Sequence, residues 1–290
     1  MTKNLLIFGY GYTGQVFADL MRAEGWKVTG TTREAEKSAA LQAAGHDVFH
    51  WPGTDIRPAL AAATHVLISA GPNDVGDPVL AQLGKEFAGA KHLEWLGYLS
   101  TTGVYGDHNG SWVDETTALN PATKRGHQRV FAENQWLDLF KNHDLPLHIF
   151  RLAGIYGPDR GPFAKVRNGT ARRIIKARQV FSRTHVDDIA QVLRASATAP
   201  DAGNIYNVCD NDPAPPQDVI AEAARLLNLP IPDSVDFETA DMTPMARSFY
   251  AESKKVSNAK IKTKLGIKLI YPDYKTGLRA LLATEQATYK

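Results

Sequence analysis

A glycine-spaced segment near the first residue constrains the fold more than any other feature of this sequence. Residues 5–8 form an apolar run without polar alternation, which is typical of a parallel strand buried on both faces. Glycines spaced Gly-x-Gly-x-x-Gly follow, and a helical pattern continues from them. A strand, turn and helix of this kind let backbone N–H groups approach a pyrophosphate, so the segment predicts dinucleotide binding; an ordinary glycine-rich turn is the alternative. The expected contacts are Gly9, Tyr10, Gly11, Tyr12, Thr13 and Gly14.

The end of the second predicted strand, residues 26–31, indicates which dinucleotide binds. It leads into Thr31, Thr32 and Arg33 rather than into a carboxylate. A carboxylate there accepts hydrogen bonds from a free ribose 2′-hydroxyl, whereas hydroxyls and a guanidinium suit a 2′-phosphate. We therefore predict NADP in preference to NAD, which remains an option. The alternative for Arg33 is a solvated residue at the start of a helix.

Strands and helices alternate over the first half of the chain. Strands are predicted at residues 47–51, 65–70, 93–99 and 147–152, with helices ending at 44 and spanning 78–89 and 120–141. This rhythm predicts an α/β fold with a doubly wound parallel sheet of the Rossmann type. Because ligands bind at the carboxyl ends of such strands, we expect further cofactor contacts from Ala70, Gly71, Pro72 and Ser100.

The alternating rhythm becomes irregular near residue 155, where a turn-rich segment begins. We predict a dinucleotide-binding domain over residues 1–155, to which later segments return strands. A smaller C-terminal α/β part, residues 156–290, is expected to bind substrate. Within it the pattern predicts a strand at 204–208 and helices at 217–227 and 253–265.

Composition disfavours several classes of protein. The 33 Lys and Arg residues nearly balance 31 Asp and Glu residues, so no overall field favours nucleic acid or an anionic membrane. No apolar run approaches the roughly 20 residues that a membrane helix needs. Cys209 is the single cysteine, which excludes an internal disulfide framework, and the start lacks the pattern of a signal peptide. We expect a cytoplasmic protein.

Two groups of polar residues have competing interpretations. The basic stretch at 160–183 is a solvated surface, a clamp for a substrate diphosphate or a nucleic-acid patch. Its arginines suit phosphate, and the scarcity of aromatic residues between them disfavours single-stranded nucleic acid. His46 and His50 fall in a strand pattern, where four residues span about 13 Å. We predict no metal site.

Four landmarks occur in order along the chain: the glycine turn, Ser-Thr-Thr-Gly-Val-Tyr-Gly at 100–106, Arg-Leu-Ala-Gly-Ile-Tyr-Gly-Pro at 151–158 and His-Val-Asp-Asp-Ile-Ala at 185–190. Together they resemble the extended short-chain dehydrogenase/reductase superfamily, in its NAD(P)-dependent epimerase/dehydratase branch. The resemblance implies a nicotinamide cofactor in the first two-thirds of the chain. It implies a small-molecule substrate, a nucleotide sugar or related hydroxyl compound, in the rest. We assign to this substrate Tyr105, Tyr156, Arg160 and Arg183.

The sequence departs from this superfamily at the glycine turn and at the catalytic positions. Phe8 stands where the family usually has its first glycine. The family's chemistry rests on a Ser or Thr, a Tyr, and a Lys four residues after the Tyr. Thr101 matches the Ser or Thr, and a register set by Glu133 puts Arg125 at the Tyr position and Arg129 at the Lys position. The chain therefore resembles an atypical branch.

These substitutions leave the activity open. The family's lysine holds the nicotinamide ribose, a role that Arg129 can take, and Thr101 is expected to border the nicotinamide. Arginine does not exchange protons near neutral pH, so Arg125 can only donate a fixed hydrogen bond to an oxyanion. The sequence predicts an epimerase/dehydratase-like oxidoreductase with catalytic candidates Thr101, Arg125 and Arg129. The alternative is a catalytically weak or inactive dinucleotide-binding regulatory protein. A homodimer through residues 78–89 and 120–141, as relatives commonly pair, is weighed evenly against a monomer.

Overall fold

A computed structural model describes residues 3–288 of the chain. The strands of this part are β1 Asn4–Phe8, β2 Lys27–Thr32, β3 Asp47–His50, β4 His65–Ile68, β5 Trp95–Thr101, β6 Trp112–Val113, β7 Leu147–Leu152, β8 Gly154–Tyr156, β9 Arg173–Ile175, β10 Arg183–His185, β11 Ile205–Val208, β12 Ser234–Asp236 and β13 Lys255–Val256. Its helices are α1 Tyr12–Ala23, α2 Ala35–Ala43, α3 Arg57–Ala62, α4 Pro78–Ala88, α5 Lys124–His143, α6 Phe163–Arg167, α7 Val186–Thr198, α8 Pro216–Leu226, α9 Pro244–Phe249, α10 Ala259–Leu265 and α11 Tyr274–Thr288.

The central sheet has seven strands in the order β11-β7-β5-β4-β1-β2-β3. The pairs β1 with β2, β1 with β4, β2 with β3 and β4 with β5 are all parallel. Because helices cover both faces of such a sheet, β1 and β4 are apolar and buried along nearly their whole length. The prediction of an α/β fold with a doubly wound parallel sheet is confirmed.

Strand order reverses between β1 and β4. From β1 the chain proceeds outward to β2 and β3, whereas β4, β5, β7 and β11 follow one another in the opposite direction. The N–H of Ser69, just after β4, donates to the carbonyl of Phe8 at 2.8 Å, so the two strand ends lie side by side. A crevice at such a reversal is where open parallel sheets bind ligands.

Helices pack on this sheet through apolar stripes. Phe17 and Met21 of α1 are fully buried, as is Trp136 of α5. Phe87 of α4 meets Trp136 edge-to-face, with ring centroids 5.1 Å apart. This core joins α4 and α5 to β4 and β5, the strands whose carboxyl ends carry most of the candidate site.

The chain divides into two compact units that interleave along the sequence. The first unit comprises the chain up to Thr101, His127–Arg151 and Ile189–Tyr206; the second comprises Thr102–Gly126, Leu152–Asp188 and the chain from Asn207 onward. The second unit has its own core, to which Tyr156, Phe163 and Leu278 belong. The assignment of residues 1–155 to a dinucleotide and 156–290 to a substrate stays a prediction. No helix within residues 3–288 has the length and apolar character needed to cross a bilayer.

Two helices differ from the sequence prediction. The helix expected from residue 120 begins at Lys124, because Thr123 Oγ1 accepts the N–H of Gly126 at 3.1 Å and starts the helix there. The segment 253–265 is not one helix: β13 comes first and α10 follows. Trp112 of β6 pairs with Lys255 of β13, a contact between distant residues that a local pattern cannot indicate.

Two buried histidines of the first unit make its stability pH-dependent. His65 Nε2 lies 3.1 Å from the Ala197 carbonyl, and burial lowers the pKa of His65 to about 4. His148 Nδ1 lies 3.1 Å from the Pro146 carbonyl, and its Nε2 accepts the N–H of Asp201. Burial also lowers the pKa of His148 to about 4. Protonating His148 would add a hydrogen to Nε2, so that two N–H groups would face each other and the hydrogen bond from Asp201 would be lost.

We predict that acidification removes the stability that these two neutral, buried histidines contribute. Because the folded-state pKa lies below the unfolded value of about 6.5, the stability is present above that pH and is lost as the pH falls toward 4. Each histidine should cost about 2 kcal/mol between about pH 7.5 and pH 5. Urea unfolding measures this. His148→Gln should flatten the profile while the exposed control His143→Gln leaves it unchanged; equal slopes in all three proteins would contradict the prediction.

Candidate functional site

The turn after β1 brings backbone N–H groups to the crevice. Gly9 has φ of +90°, and a Cβ on it would lie 2.8 Å from the Ala70 nitrogen, so only glycine fits there. Gly11 is the N-cap of α1. A Cβ on Gly14 would lie 3.0 Å from the Gly9 carbonyl oxygen and 3.3 Å from the Ile7 side chain. Gly9 therefore allows the tight turn and Gly14 the close approach of helix to strand that the glycine spacing predicts.

Tyr10 and Thr31 support this turn from within the protein. The N–H of Tyr10 donates to the Thr31 carbonyl at 2.7 Å, and the N–H of Gly9 donates to Thr31 Oγ1 at 3.2 Å. The Tyr10 ring is buried over Gly30, where a Cβ would come within 2.4 Å of it. Its hydroxyl accepts from Arg22 Nη1 at 2.7 Å, and burial raises its pKa. Only the backbone of Tyr10 faces the crevice, whereas its side chain holds β2 in place.

Tyr12 and Thr13, two of the expected contacts of the glycine turn, are the first residues of α1, so their N–H groups lie at its positive end.

The residues expected near the adenosine ribose, Thr31, Thr32 and Arg33, differ in exposure. Thr32 is buried, whereas Arg33 is exposed and makes no hydrogen bond or ion pair with another residue of the described chain. Glu34, which follows it, is also exposed and was missed in the sequence pattern. Arg33 is thus free to meet an anion, with a competing carboxylate beside it.

Helix α5 brings Arg129 to the carboxyl ends of β4 and β5. Its Nη1 donates to the Leu99 carbonyl at 2.6 Å and to the Tyr98 hydroxyl at 3.1 Å. Its Nη2 lies 3.7 Å from the position a Cβ on Gly71 would take. The structure therefore brings Arg129 close to the segment of small residues after β4, which comprises Ala70, Gly71 and Pro72. Arg129 also contacts Tyr98, a residue that no local sequence pattern indicated.

The segment after β4 is tied to α5 at two further points. Gln128 Nε2 donates to Asp74 Oδ1 at 2.5 Å, and the N–H of Asp77 donates to Gln135 Oε1 at 2.9 Å. Gln128 and Gln135 lie seven residues apart, two turns of the helix, and so share one face. This pair of bonds fixes residues 70–77 against the helix that carries Arg129.

Ser100 belongs to a buried ionic cluster. Its Oγ donates to Glu133 Oε1 at 2.5 Å. Arg151 binds both oxygens of the same carboxylate, Nε to Oε1 at 3.1 Å and Nη2 to Oε2 at 2.7 Å. The Glu133 and Arg151 side chains are 1% and 3% exposed, so water does not screen the pair. Ser100 thus directs its hydroxyl into the protein, and Thr101, half-buried, ends β5 beside it.

Arg125 lies one helical turn before Arg129, on the same face of α5, and is exposed. Exposure falls along this face from Arg125 through the half-buried Arg129 to the buried Glu133. No tyrosine occurs anywhere in α5. Tyr98 does not substitute for one, because it is fully buried and its hydroxyl is bound by Arg129.

In the second unit, the Tyr105 hydroxyl makes a buried hydrogen bond within the fold. Its hydroxyl donates to Asn207 Oδ1 at 2.7 Å, and both residues are fully buried. The N–H of Asn207 in turn donates to Glu115 Oε1 at 2.7 Å. This chain of bonds ties the short 3₁₀ helix Thr102–Tyr105 to β11. A substrate contact by the Tyr105 hydroxyl stays a prediction that would require this bond to change.

The other predicted substrate residues occupy different positions in the second unit. Strands β8 and β10 pair, which places Tyr156 beside His185 and two residues from Arg183. Arg183 Nη1 donates to the carbonyls of Phe181 and Ala214 at 2.9 and 3.0 Å, and burial lowers its pKa. Arg160 lies in an exposed turn. Tyr156 and Arg183 are thus brought together on paired strands.

The His-Val-Asp-Asp turn has a structural use. Both oxygens of Asp188 accept backbone N–H groups, from Ile270 at 2.7 Å and from Tyr271 at 3.0 Å. His185 Nδ1 accepts the N–H of Asp187 at 3.2 Å, and burial lowers the pKa of His185. The Asp188 carboxylate therefore anchors the segment before α11.

No metal position arises from the paired histidines. His46 Nδ1 is 3.3 Å from the Tyr10 hydroxyl, whereas the His50 ring lies against Gly53. Within residues 3–288 no three His, Cys, Asp or Glu side chains are grouped so that they could hold a metal ion.

A cavity of about 280 Å³ in the first unit follows β3 and was not foreseen from the sequence. It is lined by Trp51, Gly53, Thr54, Asp55, Ile56, Arg57, Gln82 and Leu83. Six of its lining residues follow β3 directly in the chain, and the other two, Gln82 and Leu83, belong to α4. Its mixed apolar and polar walls can take a flat heterocycle.

Comparison with known proteins agrees with this architecture. Residues 85–209 match the model of the NAD dependent epimerase/dehydratase family. The protein YeeZ of Escherichia coli K12 is 30% identical over 292 aligned residues, which cover 93% of this chain and 97% of YeeZ. The chain therefore belongs to the NAD-dependent epimerase/dehydratase family.

Two solved structures extend the comparison. A conserved protein of unknown function from Silicibacter pomeroyi is 55% identical, covers 98% of this chain and all of its own, and superposes with a TM-score of 0.92. The UDP-glucuronic acid 4-epimerase of Bacillus cereus, solved with UDP-glucuronic acid and NAD, is 19% identical. It has a TM-score of 0.77 and covers 99% of this chain and all of its own. At this identity the second likeness shows the fold alone.

We predict that Arg151→Met destabilises the first unit by about 3–5 kcal/mol, because it leaves the buried Glu133 carboxylate without its cation. Arg151→Met combined with Glu133→Gln should lose less, since no buried charge is stranded. Arg57→Met, which breaks two surface ion pairs, with Asp55 and with Glu86, is the control and should change little. Urea unfolding measures all three. A loss for Arg151→Met no larger than that of the control would refute the prediction.

Proposed function

We propose that this protein is an NADP-preferring, epimerase/dehydratase-like oxidoreductase of the cytoplasm that acts on a nucleotide sugar or a related hydroxyl compound. The observation that carries the proposal is the Arg129 guanidinium, held at Leu99 and facing Gly71. A cation at this edge of a parallel sheet can hold the ribose hydroxyls of a dinucleotide whose pyrophosphate lies on the glycine turn. The cytoplasmic location rests on the single cysteine, Cys209.

The cofactor's two halves fall on opposite sides of the strand reversal. Backbone N–H groups at the start of α1 meet the pyrophosphate, and Arg33 meets the 2′-phosphate. The cavity after β3 is the place for the adenine ring. On the other side Arg129 holds the nicotinamide ribose beside Thr101. When bound, the nicotinamide supplies hydride exchange with a substrate carbon.

The substrate lies between the carboxyl end of β5 and the start of α5 in this proposal. Thr101 donates its hydroxyl to the substrate oxygen, and Arg125 stabilises negative charge that develops there. Residues 156–290 hold the remainder of the substrate, with Tyr156 and Arg183 on neighbouring strands. The Bacillus cereus epimerase, whose structure contains a UDP sugar, supports a nucleotide sugar as the substrate class.

The absence of tyrosine from α5 supports a second candidate function. A missing general acid costs typically about 10²- to 10⁴-fold in rate. A chain that keeps the glycine turn and the ribose cation but lacks this acid can bind a dinucleotide without turning it over. In that case its cofactor state would regulate or stabilise a partner.

Self-association through α4 and α5 is also part of the proposal. Val75, before α4, is 75% exposed and Phe131 of α5 is 50% exposed, so both offer apolar surface. A monomer in light scattering at tens of micromolar protein would contradict it.

We predict that Arg33→Ala weakens NADP binding at least tenfold and hardly affects NAD, because a charge-assisted hydrogen bond to the 2′-phosphate is lost. Glu34→Ala is the matched control from the adjacent exposed position, and it should leave NADP binding equal or tighter. Calorimetric titration of both cofactors measures this. Equal affinity of the wild type for NADP and NAD would refute the preference.

The function itself is tested by turnover of UDP and dTDP sugars with NADP or NADPH. We expect the wild type to work well below the ordinary 1–10³ s⁻¹ range of enzymes. The variant Arg125→Tyr with Arg129→Lys should gain hydride transfer, because it restores a proton donor. Arg125→Phe with Arg129→Lys has the same ring without the hydroxyl and should gain nothing.

Two outcomes would contradict this expectation. Ordinary wild-type turnover would mean that another residue supplies the proton. Cofactor binding without turnover in the wild type and in both variants would favour the regulatory alternative.

A further inference from the structure

Tyr98 is a fully buried residue of β5 whose hydroxyl lies against Arg129. The Arg129 Nη1 to Tyr98 hydroxyl distance is 3.1 Å, and the guanidinium carbon lies 5.8 Å from the centre of the Tyr98 ring. The same Nη1 donates to the Leu99 carbonyl at 2.6 Å. Two successive residues of one strand thus supply two acceptors to one nitrogen of the guanidinium.

Holding one nitrogen determines where the other points. The guanidinium is planar and rigid, so fixing Nη1 at Tyr98 and Leu99 orients Nη2. Nη2 is the atom near Gly71, on the segment that follows β4. A free arginine side chain populates many rotamers, and ordering it on ligand binding costs affinity. A guanidinium that is already anchored avoids that cost.

We propose that Tyr98 is a positioning residue for the dinucleotide, holding Arg129 so that its outer amino group faces the cofactor's ribose. The inference rests on the proposed function, because it takes the cofactor to lie along Gly71. Tyr98 and Leu99 hold one amino group of the Arg129 guanidinium, which leaves the other directed toward Gly71.

The ionisation of Tyr98 suits this role. Burial raises the pKa of Tyr98 well above its ordinary value, against the opposing effect of the Arg129 charge. The phenol therefore stays neutral at physiological pH and acts as a fixed hydrogen-bonding group. The negative charges of the buried carboxylates Asp77 and Glu133 also raise the pKa of Tyr98.

Cofactor titration tests the proposal through a double-mutant cycle. Tyr98→Phe should weaken NADP(H) binding by about two- to tenfold, the cost of ordering one side chain. Arg129→Met should weaken it further, and adding Tyr98→Phe to Arg129→Met should have no additional effect. Tyr206→Phe, which removes a buried tyrosine hydroxyl from β11 in the same sheet, is the control and should bind like the wild type.

A second measurement needs no cofactor. In ¹⁵N-arginine spectra of the unliganded protein, the Arg129 guanidinium should rotate slowly and show slow exchange of its protons. Tyr98→Phe should speed both, whereas Tyr206→Phe should not. A role confined to core packing would leave this signal unchanged.

The outcomes separate this inference from the function on which it rests. Wild-type affinity in Tyr98→Phe, multiplying losses in the double variant, or an Arg129 signal unaffected by Tyr98→Phe would each overturn the positioning role alone. Failure of the wild type to bind either dinucleotide, or unchanged binding in Arg129→Met, would overturn the proposed function and the inference with it.

Discussion

The close approach of two backbone segments at the strand reversal is the constraint on which the site depends. The carboxyl ends of β1 and β4 lie so near that the Ser69 N–H reaches the Phe8 carbonyl at 2.8 Å. Gly9 turns in this space with positive φ, and a Cβ there would collide with the Ala70 backbone. The same contact brings the start of α1 and the segment after β4 to one crevice. A side chain at Gly9 would part the strands and separate these two halves.

The second determinant of the site is the rotation and position of α5 on the sheet. Glu133 is locked in the core by Arg151 and Ser100, which fixes how far the helix is rotated and displaced along the sheet. One turn earlier, this placement puts Arg129 at the end of β5; two turns earlier, it leaves Arg125 exposed. A buried ion pair adds little net stability but strongly disfavours other registers, since each would strand a charge in the core. Glu133 thus acts on the site through geometry rather than through contact with a ligand.

The sequence predicted the features that depend on residues close together in the chain and not those that depend on distant contacts. The glycine turn and the doubly wound parallel sheet followed from local pattern, because glycine spacing and apolar runs act over a few residues. The placement of Arg129 beside Gly71 joins residues 58 positions apart and needed the helix register. Three other features depend on partners that are distant in the chain. Ser100 turns inward to Glu133, Tyr105 binds Asn207, and β13 replaces part of a predicted helix because it pairs with β6. Glu34, directly after Arg33, is a local feature that the sequence does contain, and it sets a carboxylate beside the expected 2′-phosphate contact.

The central claim is that Arg129 stands where a dinucleotide's nicotinamide ribose lies. A crystal structure of the protein with bound NADP tests it most directly. The account predicts an Arg129 guanidinium nitrogen at about 3 Å from a ribose hydroxyl of the nicotinamide half, with Nη1 still held by Tyr98 and Leu99. A cofactor whose nicotinamide ribose lies beyond hydrogen-bonding reach of Arg129, or a nicotinamide half bound away from β5, would contradict it.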